Sequence, residues 1–431
     1  PGLRKSAMPI KTIDIETTAQ AYVHLLHARG VEYFFGNAGT DFASIIDAFA
    51  RAEVEGRPAP MPVTVPHEVP AVAMAYGAYM ISGRPQAVMV HVNVGTANAL
   101  SGIINAARDN VPIVFTAGRT PITEAHARGA RDRYIHWAQE SFDQAAMVRE
   151  YVKWDYELRR FDQLEDVVDR AFEIAMSEPR GPVYLTLPRE VLAEARTEFS
   201  YADPSRRLAR VNIRPDEESL SAAAALLNGA EQPLIVTGLA GRSTSAVSAL
   251  VSLAERLSIP VVDFNRRAMS FPTGHSLHLG YDVGPFIETA DVVMAVESDV
   301  PWYPSIAAPS ANAKVIHVGA DPLYSQYPMR SYPADVALAG DAGRVLTLLL
   351  EAVEAGIAIS QEVVSARRDR LAAIHTQQRL TWREAAEKTS RDAPVDPAYL
   401  SRCIDAIKSD DTIVVNEYDL VAQQVEFSQL P

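Results

Sequence analysis

The sequence feature that most restricts the fold is a pair of strand-to-helix turns in succession. A β-branched run at 61–65 ends at a proline, and Glu68 then opens a helix rich in small residues. A second apolar strand at 86–92 breaks at Gly95-Thr96 and leads into another helix of the same kind. In an open parallel sheet, ligands bind beyond the carboxyl ends of the strands. We therefore expect Glu68, His91 and the Gly95 turn to share one crevice.

The residues that follow Glu68 carry a family resemblance. His67-Glu68 leads to Ala71, Met74-Ala75 and Gly77-Ala78. This resembles the H-E-x-x-A-x-x-M-A-x-G stretch of thiamine-diphosphate-dependent enzymes of the acetolactate synthase and benzoylformate decarboxylase group. In that group the glutamate hydrogen-bonds the aminopyrimidine ring of the cofactor and promotes loss of the thiazolium C2 proton. The resemblance implies this role for Glu68, and the alternative is an acid that only stabilises a helix N-terminus.

An earlier turn, G-N-A-G-T-D-F at 36–42, is expected at the same sheet edge. It resembles the G-N-P-G-S turn of the benzoylformate decarboxylases. The resemblance implies that Thr40 faces the substrate and that Gly39 lies against the cofactor. The alternative is that the glycines serve only the tight turn, which needs them in any protein.

The segment that starts at His91 resembles a second motif of that family, H-x-x-x-G-T-x-N-A. The resemblance implies that His91 is an active-site acid/base and that Gly95, Thr96 and Asn98 bind the cofactor. An imidazole suits proton transfer near neutral pH. Acetolactate synthases carry S-G-P-G-x-T-N at this place, so the motif favours a decarboxylase. A histidine that only lines a packed turn is the alternative.

A long loop at 121–144 holds several arginines beside aromatic residues. In acetolactate synthases the matching loop approaches the active site of a neighbouring subunit. Arg131 and Phe142 are the candidates for contacts to a substrate, because guanidinium groups bind carboxylates and Phe142 matches a family phenylalanine. The alternative is a solvated, charged loop.

Length and pattern predict an α/β chain of tandem doubly wound parallel-sheet domains. With 431 residues, 48% of them hydrophobic, the chain is long enough for two or three domains. Strands that alternate with helices indicate parallel sheets. The predicted divisions are an N-terminal tail (1–14), a pyrimidine-binding domain (15–190), a linker (191–215), a Rossmann-like middle domain (216–356), a helical connector (357–408) and the start of a diphosphate-binding domain (409–431). The middle domain has six strands in the family. The last segment is expected to open with a strand at 412–416.

Resemblance also sets the expected cofactors, which are thiamine diphosphate and Mg²⁺. The family binds diphosphate and metal at a G-D-G motif in a third domain, so we expect no metal site in this chain segment. Gly340-Asp341 lacks the second glycine and is rejected as that motif. Many acetolactate synthases bind FAD in the middle domain with arginines after its fourth strand. This chain has an acidic stretch at 297–302 instead, which argues against FAD.

Charge and cysteine content restrict the partners. A net charge of −14 and a pI near 5.2 disfavour nucleic acid and anionic membranes. Cys403 is the only cysteine, which suits a cytoplasmic protein. The resemblance implies a homodimer or homotetramer that acts on a small 2-oxo acid by decarboxylation and carboligation, as acetolactate synthase does. A benzoylformate-decarboxylase-like enzyme and a non-catalytic scaffold that kept the fold are the alternatives.

Overall fold

A computed structural model describes residues 9–203, 205, 213–356, 360–417 and 420–428. The chain divides into two compact units, residues 1–211 and 212–431. Each is an α/β unit built on a parallel sheet. Among the described residues, no helix combines the length and the apolar character that crossing a membrane requires.

The first unit contains a six-stranded parallel sheet in the order β3-β2-β4-β5-β7-β6 and a separate two-stranded ladder of β1 with β8. Its strands are β1 (Ile10–Asp14), β2 (Tyr33–Gly36), β3 (Met61–Thr64), β4 (Gln86–Val90), β5 (Ile113–Arg119), β6 (Asp155–Glu157), β7 (Val183–Pro188) and β8 (Glu198–Ala202). Its helices are α1 (Thr18–Ala28), α2 (Ala43–Glu55), α3 (Glu68–Ser82), α4 (Val92–Arg108), α5 (Tyr134–Ala138), α6 (Leu164–Met176) and α7 (Arg189–Ala193).

Two apolar cores cover the two faces of this sheet. One contains residues of α1, α2 and α6, and the other contains residues of α3 and α4. Every residue of β4 is buried, which explains why this strand is a continuous apolar run rather than an alternating one. The small residues of α3 and α4 allow these helices to pack closely. A Cβ added to Gly102 would lie 2.9 Å from Cβ of Val72. This close packing holds the carboxyl ends of β2, β4 and β5 in place at one edge of the sheet.

The predicted tail and linker both differ from the structure. Ile10–Asp14 form β1, which pairs antiparallel with β8, so that Ile10 lies opposite Ala202. Residues 189–193 are helix α7. The prediction of a tail to residue 14 and of an aperiodic linker from 191 to 215 is therefore wrong for these segments. β1 and β8 lie at opposite ends of the sequence of this unit and are each other's hydrogen-bonding partner. Local sequence patterns do not reveal a partner that is so distant in the chain.

Helix α4 begins earlier than the sequence predicts. The expected break at Gly95-Thr96 lies inside the helix, which starts at Val92. Val92 has a φ of +36°, a strained value for a β-branched residue, and its N–H donates to Oδ2 of Asp41 at 3.2 Å. Gly95 is required by close packing, since a Cβ there would lie 2.8 Å from Cβ of Val90.

In the second unit, a five-stranded parallel sheet has the order β10-β9-β11-β12-β13. Its strands are β9 (Pro233–Thr237), β10 (Val261–Asp263), β11 (Val292–Val296), β12 (Lys314–Gly319) and β13 (Val336–Ala339). Its helices are α8 (Glu217–Gly229), α9 (Thr244–Leu257), α10 (Gly284–Ile287), α11 (Ala342–Ala355), α12 (Gln361–Lys388) and α13 (Pro397–Ile407). The described part of this sheet has five strands, not the six expected from the family, and the edge strand β13 was not predicted.

Two segments late in the chain were also the subject of predictions. Asp341 caps α11 by accepting a hydrogen bond from the N–H of Arg344 at 3.0 Å. Residues 412–416 do not form the predicted strand, because no strand within the described part of the chain lies beside them to form a ladder. The segment 420–428 instead packs against the helices of the same unit, where the N–H of Val421 donates to Oγ of Ser401.

Candidate functional site

Glu68 lies at the first residue of α3, directly beyond the carboxyl end of β3, and it is 5% exposed. Each of its carboxyl oxygens accepts a hydrogen bond from a side-chain amide. Asn37, in the turn after β2, donates to Oε1 at 2.9 Å, and Asn98, on α4, donates to Oε2 at 3.2 Å. Three elements therefore converge on one buried carboxyl group. The start of α3 determines the position of Glu68, and the two amides determine the orientation of its carboxyl group.

His91 directly follows β4 and is the N-cap residue of α4. Its Nδ1–H donates to Oδ1 of Asp41 at 2.6 Å. Nε2 of Gln139, in the long loop, lies 3.1 Å from Nε2 of His91. The imidazole is thus held between a buried carboxylate and a loop amide, which suits a group that moves protons.

Thr40 and Arg131 were predicted separately and lie together. Nη1 of Arg131 donates to Oγ1 of Thr40 at 2.7 Å, and both side chains reach solvent at this edge. Burial lowers the pKa of Arg131, as does the nearby Arg189 guanidinium, whereas the Asp41 carboxylate opposes that shift. Two neighbouring guanidinium groups beside a hydroxyl form a suitable contact for an anionic substrate.

The second half of the long loop is tied to the sheet edge. Arg119, at the end of β5, pairs with Glu140 at 2.6 Å and with Glu157 at 2.8 Å. Gln144 is buried, and its amide donates to the carbonyl of Gly118 and to the hydroxyl of Tyr184. The loop is therefore an ordered wall of the crevice in this region, rather than only a solvated, charged segment.

Other predicted site residues have different surroundings. Gly95 faces Val90, and Thr96 is fully buried, where its hydroxyl donates to the carbonyl of Val92 and bonds the hydroxyl of Tyr184. These contacts favour packing roles for both. The side chain of Phe142 is entirely exposed within this chain.

Four polar residues of the crevice were not predicted from the sequence, namely Asn37, Asp41, Gln139 and Arg189. Asp41 directly follows Thr40 in the turn, and its position was the one local signal available. Gln139 lies in the long loop and Arg189 directly follows β7, and the family resemblance assigned no role to either residue. Their proximity to the site depends on how the loop and α7 pack against the sheet.

In the second unit, side chains of the unit itself fill the space at the carboxyl edge of the parallel sheet. Glu297, after β11, is 6% exposed and pairs with Arg242 at 2.8 Å. Its Oε1 accepts a hydrogen bond from the N–H of Ala320, after β12. Gly241 lies in the short turn Ala240–Arg242 after β9. A Cβ at Gly241 would overlap the carbonyl of Met269, so the backbone at Met269 occupies the space beside this turn.

Among the described residues, no cluster of three or more histidine, cysteine, aspartate or glutamate side chains has an arrangement that could hold a metal ion. The first unit nevertheless fits the pyrimidine half of thiamine diphosphate. The observation that fits is a buried carboxyl group at the carboxyl edge of a parallel sheet, at the first residue of a helix.

Comparison with protein families places both units in one family. The model of the thiamine pyrophosphate enzyme N-terminal TPP binding domain matches residues 16–147, and the model of the central domain matches residues 220–349. Thiamine pyrophosphate and thiamine diphosphate are the same compound. The chain belongs to the thiamine pyrophosphate enzyme family.

The relatives of this chain include enzymes with different reactions. It is 28% identical to the acetolactate synthase isozyme 3 large subunit of Escherichia coli, over 77% of this chain and 57% of the relative. It is 29% identical to a probable 2-ketoarginine decarboxylase of Pseudomonas aeruginosa, over 79% of this chain and 58% of the relative. Sulfoacetaldehyde acetyltransferase of Rhodobacter capsulatus is 28% identical, over 76% and 54%. The chain thus spans less than three fifths of the length of these relatives.

A solved structure supports the fold assignment. The structure of a putative thiamin diphosphate-dependent enzyme from Mycobacterium smegmatis superposes with a TM-score of 0.62 at 26% identity, covering 79% of this chain and 63% of that chain. The tandem α/β architecture is therefore that of the family.

Proposed function

We propose that this chain provides the pyrimidine-binding and middle domains of an acetolactate-synthase-like enzyme that decarboxylates 2-oxo acids and transfers the product to an acceptor. The observation that carries the proposal is the buried Glu68 carboxyl group, held by Asn37 and Asn98 at the carboxyl edge of the sheet. Burial of a polar or charged group reduces the free energy of unfolding, so such a group is often found where it has a function. The function that we propose for the Glu68 carboxyl group is activation of the cofactor.

In this proposal, thiamine diphosphate supplies the nucleophilic carbon and the electron sink that decarboxylation needs. Glu68 would hold the pyrimidine ring through a hydrogen bond and would give or take a proton at its carboxyl group. His91 takes and returns protons of the reacting groups at its Nε2. Thr40 and Arg131 hold the carboxylate of the substrate at the mouth of the crevice, where Arg189 adds a second positive charge.

The second candidate is a non-oxidative decarboxylase of the benzoylformate decarboxylase type. The presence of His91 supports this candidate, since acetolactate synthases lack a histidine in the matching motif. Its pairing with Asp41 at 2.6 Å makes it available for proton transfer. Product analysis with pyruvate separates the two reactions, because a carboligase forms a new carbon–carbon bond and a simple decarboxylase releases an aldehyde.

Glu297 and its neighbours argue against FAD in the middle domain. A flavin nucleotide would need cationic groups and free backbone at the edge after β9 and β11. Arg242 is already paired with Glu297 at this edge. A Cβ added to Gly238 would lie 2.8 Å from the carbonyl oxygen of Phe264, so the backbone of Gly238 is covered by the protein itself. The residues present do not fit FAD, and the proposed reaction does not use it.

The proposed assembly is a homodimer or homotetramer with a shared cofactor site. Several large apolar side chains of α3, α4 and the long loop are exposed within one chain: Met74, Ile81, Val94, Tyr134, Trp137 and Phe142. The diphosphate and Mg²⁺ are assigned to a further domain outside residues 1–431. A light-scattering mass equal to one polypeptide at micromolar concentration would contradict this assembly.

Exchange of the C2 hydrogen of bound cofactor tests the role of Glu68 directly. In the full-length protein, we expect Glu68→Gln to slow this exchange by roughly 10²–10⁴-fold, the usual contribution of a general acid or base. Glu217→Gln is the matched control, because Glu217 also opens a helix but lies exposed on the other unit. Exchange at the unmodified rate in Glu68→Gln would refute the proposed function.

A further inference from the structure

The pair formed by Asp41 and His91 defines which nitrogen of the histidine carries the proton. Asp41 is 3% exposed and lies in the 3-10 turn Thr40–Phe42. A carboxylate only accepts hydrogen bonds, so the 2.6 Å contact requires a proton on Nδ1 of His91. In the neutral ring, Nε2 then carries the lone pair. The second oxygen of Asp41 accepts from the N–H of Val92 at 3.2 Å, which fixes the carboxylate in place.

Gln139 completes the surroundings of His91 on the other side. Its amide nitrogen donates to the Nε2 lone pair across 3.1 Å. Within the described part of the chain, its Oε1 is buried without a hydrogen-bond partner. Rotation of the amide by half a turn would bring this oxygen to Nε2–H of a protonated ring. One side chain can therefore satisfy both protonation states of His91.

Two glycines make room for the pair. A Cβ at Gly39 would overlap the imidazole ring of His91, and a Cβ at Gly118, in β5, would overlap the carboxylate of Asp41. Neither glycine has a positive φ, so their small size, rather than backbone freedom, is what the site uses. The requirement for glycine at both positions is explained by the space that the pair occupies.

We propose that Asp41 is a positioning residue that holds His91 in the Nδ1–H tautomer and leaves Nε2 to take and return the proton during turnover, with Gln139 covering Nε2 until substrate displaces its amide. This inference rests on the proposed function and extends it to a residue that no motif identified. When Nε2 gains a proton, the resulting imidazolium lies beside the Asp41 carboxylate, which stabilises its charge. Arg131 is the other charged group next to Asp41.

A purely structural role for Asp41 is the competing explanation, because the bond to Val92 also stabilises the start of α4. Asp41→Asn separates the two roles. Its side-chain oxygen can still accept from Val92, while its NH₂ group faces His91 and donates to Nδ1. This contact moves the proton of the neutral ring to Nε2. The positioning role predicts that turnover falls with this change of tautomer, whereas a purely structural role predicts unchanged turnover in the folded variant.

The experiment records ¹⁵N shifts of histidine-labelled, cofactor-free full-length protein, with His91→Ala to assign the His91 signals. We expect Nδ1–H in the unmodified protein and Nε2–H in Asp41→Asn. We also expect kcat to fall by about 10²–10⁴-fold with KM within a few-fold, as for a histidine in the wrong tautomer. Asp341→Asn is the control, since it alters a similar helix cap in the other unit and should change neither the shifts nor kcat.

Gly118→Ala provides a second variant if Asp41→Asn does not fold, because the new Cβ displaces the Asp41 carboxylate without removing it. Retention of the Nδ1–H tautomer in the folded variant overturns the inference. Full turnover of His91→Ala would instead refute the proton-transfer role of His91 in the proposed function. The two failures are therefore distinguished by different measurements.

Discussion

The amide of Asn37 donates to Oε1 of Glu68 across 2.9 Å, joining the turn after β2 to the start of α3. Asn98 reaches the other oxygen of Glu68 from the second turn of α4. The bonds orient a buried carboxyl group before any cofactor arrives. Orientation of this kind reduces the reorganisation that activation of a cofactor would otherwise need.

Loss of the Asn37 amide should therefore weaken activation of the cofactor. We expect Asn37→Ala to slow C2 exchange of bound thiamine diphosphate by about tenfold, the equivalent of roughly 1.4 kcal/mol, which is near the upper end of the contribution of one ordinary hydrogen bond. Asn98→Ala should have a smaller effect, because its bond is longer, at 3.2 Å, and more exposed. Asn105→Ala, at an exposed position farther along α4, is the control. An unchanged exchange rate in Asn37→Ala would show that the amide does not orient Glu68.

Arg131 should act on substrate binding more than on proton transfer. We expect Arg131→Gln to raise KM for a 2-oxo acid by about tenfold or more while kcat changes less, since loss of a charge-assisted bond costs roughly 1.5–3 kcal/mol. Thr40→Ala should shift KM in the same direction through the lost contact with Arg131. Arg133→Gln is the control, because Arg133 is exposed and pairs with Asp132 in the same loop. A fall in kcat alone for Arg131→Gln would contradict this assignment.

Asp263 should make the stability of the second unit dependent on pH. Burial raises its pKa to about 7, with Oδ1 lacking a partner among the described groups. The folded state therefore binds this proton more tightly than the unfolded state, so the free energy of unfolding falls as pH rises from about 4 to 7. We expect Asp263→Asn to stabilise the protein on the order of 2 kcal/mol at pH 8.5 and much less at pH 5. Denaturant midpoints at both pH values test this.

Asp335 offers a control of opposite sign. Hydrogen bonds from Lys314 and from the N–H of Val315 lower the pKa of Asp335. Its contribution to stability is present above the ordinary carboxyl pKa and is lost as pH falls through the lowered value. Asp335→Asn should therefore destabilise the protein at pH 8.5. Equal shifts for Asp263→Asn at pH 5 and pH 8.5 would show that Asp263 does not titrate in this range.

The buried pair of Arg29 and Asp169 should matter for folding of the first unit. Nε of Arg29 lies 2.5 Å from Oδ1 of Asp169, and both side chains are almost fully buried. Removal of Asp169 leaves the buried Arg29 guanidinium with Glu165, at 3.2 Å, as its remaining carboxylate partner, so Asp169→Ala should cost about 3 kcal/mol in the free energy of unfolding. Asp162→Ala breaks the exposed pair with Arg160 and should cost less than about 1 kcal/mol. Similar costs in denaturant unfolding of the two variants would refute the distinction.

Much of the sheet framework could be predicted, because local patterns report local backbone structure. The strands predicted at 61–65 and 86–92 lie at 61–64 and 86–90 in the structure, and Glu68 is the first residue of α3 as expected. Buried parallel strands are continuous apolar runs, and the helices between them have their own periodicity and caps. The start of α4 was missed because Asp41, distant in sequence, supports the strained residue Val92.

The sequence by itself determined the α/β class, the family and the placement of Glu68 at a helix start beyond a strand. Those features depend on residues within a few positions of one another, and their spacing is visible in the chain. Only the tertiary structure decided that Asp41 holds His91, that β1 pairs with β8 and that Glu297 fills the middle-domain edge. The physical reason is that each of these contacts joins groups far apart in sequence. Their geometry follows from how whole strands and helices pack, and no local pattern encodes it.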